Sequence, residues 1–265
     1  MTRAALKGTY AAPAIEKAFE ILEMLTTRAD GALVSEMAGH LGRSVGELFR
    51  IVVVMEQLGY LQKTGKQDRY RVAYKLLDLA YRATPAHNLV DAARSEMREL
   101  AQATEQSCHL VVAGGGTGLV IAREENPGMR GFALRLGASI DLIKSCSGQV
   151  LLAFLEPDRA QREIEQAEAT QGKSVDREWL AGRLAVIRDH GFDRRKSPIT
   201  HGVTDISYPV FGFDGKVAAA LTIPFLELID GSQKVDLESS QALLKRAAAA
   251  ISTALGCGAG GGGVR

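Results

Sequence analysis

Three sets of residues in this chain carry types suited to chemistry. The first is Ser147, His201 and Asp205, the nucleophile, base and orienting acid that a hydrolase assembles. Its local sequence argues against that use. Ser147 follows Lys144-Ser145-Cys146 and lacks the Gly-x-Ser-x-Gly elbow that exposes a nucleophile on a sharp turn. The second set is Cys108-His109, both zinc-ligating types, but neighbours on a strand project to opposite faces and cannot share one ion. Cys146 precedes a helical run, where thiolates are favoured, and its other reading is a small cavity-lining residue. No enzyme activity, metal or cofactor is expected.

The third set is electrostatic. Ser44-Val45-Gly46-Glu47 opens a helix that carries Arg50, and the segment 63–75 holds Lys63, Lys66, Arg69, Arg71 and Lys75 against Asp68 alone. Cations gathered on one short segment suit a phosphate backbone. The bland alternatives are a solvated hairpin and a module for protein contacts.

The elements that must position this set are legible. Val34, Met37, Ala38 and Leu41 recur at helical spacing, with Ser35 as a cap and Gly42 for a sharp turn. Ser44 and Glu47 form a Ser-x-x-Glu capping box for a second helix. Leu48, Ile51, Val52, Met55 and Leu58 make its core face, leaving Gly46, Phe49, Arg50 and Val53 on the other. Gly59 ends it. Residues 60–63 and 69–72 then alternate as two strands joined by a turn at Thr64-Gly65, with Tyr70 and Val72 on one side and Arg69 and Arg71 on the other. This is a helix-turn-helix with a basic wing. The residues expected at double-stranded DNA are Ser35, Arg43, Ser44, Val45, Gly46, Phe49, Arg50, Lys63, Lys66, Arg69 and Arg71.

The chain has 265 residues and a net charge of +1, split as +3 over residues 1–82 and −2 over the remainder. That length suits two domains. No apolar run reaches the roughly 20 residues of a membrane span and the start lacks a secretory core, so a cytoplasmic protein is expected. Its three cysteines, Cys108, Cys146 and Cys257, make no paired framework.

Residues 1–12 read as a flexible tail. From Pro13 a helix carries the stripe Ile15, Ala18, Phe19, Leu22 and Leu25, and residues 13–74 form the DNA-binding module. Residues 75–88 are a linker, helical until Thr84-Pro85. In 89–255 the expected elements are a helix over 89–102, a hairpin of 108–113 and 119–123 around the glycine run, a strand over 131–136 and a helical run over 149–154. Helical stretches over 157–169 and 175–190, a strand from Gly191, strands over 203–211 and 217–223, and a helix over 235–255 complete it. The glycine run opens onto a β-branched strand, so it is not a phosphate loop. Ser145-Cys146-Ser147-Gly148 lies where a helix begins, a natural place to hold a small carboxylate. The end, 256–265, is Gly-rich, cannot pack a core and is expected to be a disordered tail. The fold class is α+β, with a five- or six-stranded sheet in the second domain.

The order of several strings resembles the IclR family of bacterial transcriptional regulators. They are Ser35-Glu36-Met37-Ala38, Phe49-Arg50, Leu58-Gly59-Tyr60, Arg69-Tyr70-Arg71-Val72, Arg135-Leu136-Gly137, Ser147 to Phe154, Gly191-Phe192, Gly202-Val203, Tyr208-Pro209-Val210-Phe211 and Asp214 to Leu221. The resemblance implies an N-terminal winged helix-turn-helix, a linker helix and a C-terminal GAF-like effector-binding domain. It further implies a homodimer or homotetramer, acting as repressor or activator, whose operator binding is modulated by a small metabolite, an organic acid. The implied effector pocket maps to Ser145, Cys146, Ser147, Gly148, Asp205, Ser207, Thr222 and Pro224. This chain departs from the family's frequent Pro-Lys-Ser-Thr-Val-His-Arg at the recognition helix, keeping only Arg50, and places Asp205 where a cysteine is common. Arg194-Arg195-Lys196 replaces an often acidic stretch; it can pair with Asp205, attract an acid at the rim, or form a solvated loop. The competing function is a small-molecule-binding or hydrolytic protein whose N-terminal module only mediates interaction.

Overall fold

The computed structural model describes residues 12–64, 68–83, 86–128, 131–230 and 232–257. The expected tails therefore lie largely outside the described residues, as do Lys66 and Gly65 of the wing turn. The chain divides into two compact units, Met1–Thr84 and Pro85–Arg265.

The first unit contains α1 (Pro13–Thr26), α2 (Val34–Leu41), α3 (Val45–Gln57), β1 (Leu61–Lys63), β2 (Tyr70–Val72) and α4 (Tyr74–Ala83). Its core joins Ile21, Met24 and Leu25 of α1 to Met37, Leu48, Val52, Met55, Leu61 and Tyr70. The α1 stripe is thus rotated from its expected face: Ala18, Leu22 and Leu25 pack with Ile21 and Met24, while Ile15 and Phe19 are 59% and 55% exposed. At α2 the cap is Leu33 and not Ser35, which sits exposed in the first turn; the Leu33 N–H donates to Glu36 Oε2 at 3.3 Å. Gly42, with φ 64°, ends α2 in the left-handed region and permits the turn into α3. Ser44 caps α3 by accepting the Glu47 N–H. The Glu47 carboxylate pairs chiefly with Lys17 of α1, and the Ser44 backbone N–H, the other half of the capping box, is its weakest partner.

β1 and β2 pair antiparallel, with Gln62 opposite Arg71. Ala32 joins as a third edge through two hydrogen bonds to Tyr70, at 2.8 and 2.9 Å. Gly31 makes that approach possible: it has φ 71°, and a Cβ there would lie 2.5 Å from the Tyr70 carbonyl oxygen. Lys75 does not extend the wing. Its Nζ donates to the Leu58 carbonyl at 2.7 Å and lies over the Tyr60 ring, closing the C-terminus of α3.

The second unit contains α5 (Ala86–Thr104), β3 (Cys108–Gly114), β4 (Thr117–Glu124), β5 (Ser139–Asp141), α6 (Cys146–Phe154), α7 (Pro157–Gln171), α8 (Arg177–His190), β6 (Asp193–Lys196), β7 (Val203–Phe211), β8 (Val217–Leu226) and α9 (Leu237–Ala254). Its six strands form one antiparallel sheet in the order β5-β4-β3-β8-β7-β6. Strand alternation sorts the side chains into two cores. Cys108, Leu110, Ile206, Tyr208, Leu221 and Ile223 pack with α5 and α9. Val111, Val120, Val217 and Ala220 pack with α6, α7 and α8 on the opposite face.

The hairpin around the glycine run forms as expected, with β3 and β4 meeting at Gly114 and Thr117. The strand expected over 131–136 does not. Those residues run outside the ladder, and the edge strand is Ser139–Asp141, after Gly137 at φ 77°. Phe132 and Leu134, whose alternation suggested a strand, line a cavity instead. β8 continues past Ile223 through Pro224. It can do so because the β3 ladder stops at Thr222, and beyond it Gln106 takes over, accepting the Leu226 N–H at 2.9 Å.

Candidate nucleic-acid interface and ligand cavity

On the first unit, Val45, Gly46, Phe49 and Arg50 are exposed on α3, while Leu48, Val52 and Met55 hold its other side in the core. Phe49 is 52% exposed, and Arg50 forms no ion pair among the described residues. Ser44 sits at the start of this surface as the helix cap, and a Cβ at Gly46 would meet nothing within 4 Å. Nothing within the protein therefore demands glycine at position 46. Arg43 is exposed at the turn and pairs with Glu20 at 3.4 Å.

The wing is less free in its charges than its composition suggests. Arg69, expected on the solvent side, turns inward: its Nη2 lies 2.7 Å from Glu36 Oε2 and donates to the Gly31 carbonyl at 3.3 Å. Lys63 pairs with Asp68 at 3.5 Å and sits 5.5 Å from the Tyr70 ring centroid. Its pKa is raised chiefly by its contact with Tyr70. Arg71 is exposed, and its cross-strand neighbour Gln62 accepts from it once the amide oxygen faces the guanidinium. Arg50 and Arg71 are thus the two exposed guanidiniums of α3 and the wing that no described carboxylate holds.

In the second unit, a cavity of about 410 Å³ lies between the start of α6 and the sheet face turned toward it. Six of the eight pocket residues inferred from the sequence line it: Ser145, Cys146, Ser147, Asp205, Thr222 and Pro224. The other two stand behind the wall. Ser207 is fully buried and shares a 2.8 Å hydrogen bond with Thr222. Gly148 is a packing residue, since a Cβ there would lie 2.5 Å from the Leu142 backbone.

The local sequence builds this wall directly. Ser145 caps α6 by accepting the Gly148 N–H at 3.0 Å, and its carbonyl accepts from Gln149. The N–H groups of Cys146 and Ser147 remain as first-turn donors without a protein partner among the described residues. Cys146 is no reactive thiol. Burial, with Asp193 and Asp205 nearby, pushes its pKa well up, and its Sγ–H faces the carbonyls of Asp193 and Asp205 at 3.5 and 3.7 Å.

Asp205 lies on β7 opposite Arg195 of β6. Burial raises its pKa, against the lowering influence of a Ser197 hydrogen bond and of Arg195. Arg195 is already engaged elsewhere. It pairs with Asp193 at 3.4 Å and donates to the Lys144 carbonyl, while Arg183 holds the other Asp193 oxygen at 2.9 Å. Arg194 pairs with Glu238 at 3.4 Å. Two of the three cations of the basic run are therefore held by carboxylates, and Lys196 is exposed at the end of β6. The charged groups on the lining are Asp141, Asp205 and Lys144, and Lys144 reaches Asp141 at 4.0 Å. Net charge on the lining thus gives an organic acid no advantage here. What remains for a carboxylate is the pair of N–H groups on α6.

Sequence reasoning passed over His109. It lies on β3 opposite Thr222, only 4% exposed, with Nδ1 unpartnered among the described residues, and it lines the cavity. Burial lowers its pKa to about 4. The signal was present, because Cys108 and His109 were seen to face opposite ways, and Cys108 does pack against α5. The apolar wall of Phe132, Leu134, Ile140 and Ile199 was not legible. The hydrolase set does not assemble: His201 is exposed on a turn and does not line the cavity with Ser147 and Asp205.

Two family models match the chain. One described as "IclR helix-turn-helix domain" covers residues 14–65, and one described as "Bacterial transcriptional regulator IclR C-terminal" covers residues 81–253. Among curated proteins, the HTH-type transcriptional regulator KdgR of Escherichia coli is 27% identical over 243 residues, 91% of each chain. XynR of the same organism is 24% identical over 91% of this chain and 96% of its own. Among solved structures, the IclR of Thermotoga maritima is 26% identical with a TM-score of 0.67, covering 91% of this chain and 98% of that one. An IclR homolog from Microbacterium hydrocarbonoxydans, crystallised with 4-hydroxybenzoate, shares the fold at 22% identity and a TM-score of 0.74, covering 91% of this chain and 98% of that one.

Proposed function

This chain belongs to the IclR family of bacterial transcriptional regulators, and we propose that it reads an operator with α3 and the β1–β2 wing while a small carboxylate-bearing effector in the α6 cavity modulates that binding. The exposed face of α3 carries the reading. On it Arg50 stands free of any described carboxylate beside Phe49 and Gly46, on a helix whose other side is locked into the core. A recognition helix enters the major groove with its N-terminal residues, and an arginine there can pair with guanine edges or phosphates. Arg71 and Lys63 on the wing, with Ser44 and Arg43 at the helix start, reach the flanking backbone. Ser35, Val45, Lys66 and Arg69 complete the surface inferred from sequence, with Arg69 acting through Glu36.

In the cavity, the N–H groups of Cys146 and Ser147 hold the effector carboxylate, Thr222, Pro224 and Asp205 face its body, and Gly148 and Ser207 set the wall. Effector binding shifts the population of DNA-competent states by its differential affinity for them. The chain works as a homodimer or homotetramer in the cytoplasm and is not an enzyme. The apolar surface of Ile15, Phe19, Val54 and Leu58 on α1 and α3 is suited to a second copy.

The test is selection of fragments from the source genome by the purified protein at low and moderate salt. A few enriched sites, lost as salt rises, are expected. No enrichment at either salt, with and without extracted small metabolites, overturns the reading and favours a binding protein with an interaction module.

A further inference from the structure

The sheet wall of the α6 cavity is built from one face. His109 stands opposite Thr222, and Asp205 opposite Pro224, two residues further along β8. Residues two apart on a strand share a face, so all four side chains project toward α6.

Both titratable groups on that wall can accept, Asp205 through its carboxylate and neutral His109 through one ring nitrogen. Asp205 is a partly buried carboxylate for which no described guanidinium or ammonium provides a direct ion pair, since Arg195 is spent on Asp193 and the Lys144 carbonyl. His109 is 96% removed from solvent with a bare Nδ1. Buried polar atoms without partners are uncommon and mark places that a ligand or water completes. The opposite wall offers the reverse polarity in the Cys146 and Ser147 N–H groups at the positive end of α6. The cavity is therefore polarised, with donors on the helix side and acceptors on the sheet side. Between them lies an apolar lining that includes Phe132, Leu134 and Ile199.

We infer that the effector is a zwitterion, an amino acid with an apolar side chain, whose carboxylate meets the α6 N–H groups and whose ammonium is met by Asp205, with His109 as the second acceptor. This rests on the proposed use of the cavity as the effector site. A simple acid places a second anion before Asp205, whose charge has only a Ser197 hydrogen bond and the neighbouring Arg195 to offset it. An ammonium removes that defect. His109 is compatible with a cation because at pH 7 it is neutral: with its pKa at about 4, roughly one molecule in a thousand carries the extra proton.

Calorimetric titration of the full chain with two matched pairs tests the inference: leucine against 4-methylpentanoate, and phenylalanine against 3-phenylpropanoate. At least one amino acid is expected to bind about tenfold or more tightly than the acid that lacks its amino group. Asp205→Asn should bring that ratio to within about threefold. His109→Leu should weaken the amino acid selectively and His109→Gln, which keeps an acceptor, should restore much of it. Unchanged DNA binding without ligand certifies that each variant is folded. Equal or tighter binding of the plain acids overturns the zwitterion and leaves the cavity reading standing. Binding of none of the four overturns both.

Discussion

Arg69 and Glu36 meet at 2.7 Å across the seam between the wing and α2. The contact joins the start of α2 to the residue that leads into β2, and Arg28 approaches the same carboxylate oxygen at 3.9 Å. A cation that composition assigns to DNA instead ties the wing to the helical core. Arg69→Ala should therefore cost stability, about 1–2 kcal/mol for a charge-assisted bond at a half-buried site. Chemical denaturation measures it. DNA affinity of the folded fraction should fall less than about threefold, and a larger loss at unchanged stability would return Arg69 to the interface.

Arg50→Ala should act in the opposite sense, leaving denaturation nearly unchanged because the side chain is exposed and pairs with no carboxylate among the described residues. If Arg50 reads a base, discrimination between operator and random duplex should fall by about 1–3 kcal/mol. Competition binding measures this. Uniform weakening on all sequences, with the salt slope reduced by about 0.9, would reassign Arg50 to a phosphate.

Ser147→Trp should fill the cavity beside the start of α6. Ligand-free DNA binding should persist while the effector response disappears in a titration of operator binding. An unchanged response places the effector site elsewhere.

The acid limb of stability should depend on His109. Its folded pKa of about 4 lies below the unfolded value of 6.5, so its contribution is present above pH 6.5 and is lost as pH falls toward 4. That interval corresponds to about 3 kcal/mol at most. Asp205 works the other way. Its folded pKa is raised by burial, so protonation relieves it as pH falls. In denaturation midpoints between pH 7 and 4, His109→Leu should flatten the acid loss and Asp205→Asn should steepen it. Parallel curves for all three proteins would remove both groups from the linkage.

Local signals carried much of the fold. Ser44 caps the helix it was expected to cap, α6 begins within the Ser145–Gly148 stretch where a helix start was expected, and β7 occupies the anticipated range Val203–Phe211. Partners chosen across the fold were not legible. Glu47 takes Lys17 as its main partner, and Arg69 takes Glu36, because each carboxylate answers to whichever cation the packing delivers. Phe132 and Leu134 alternate like a strand but satisfy the alternation against a cavity. His109 looked like half of an unlikely metal pair, and only the register with Thr222 reveals which face it occupies.

Gly148 lets α6 rest on the Leu142 backbone with no side chain between them. Contact at bare backbone leaves nothing to repack, so that wall is stiff. Another part of the lining is Ser197, Pro198 and Ile199, and Ile199 is 79% exposed. Accommodation of a larger molecule must then come from the Ser197–Ile199 side, while the α6 side acts as a fixed stop against which its length is gauged.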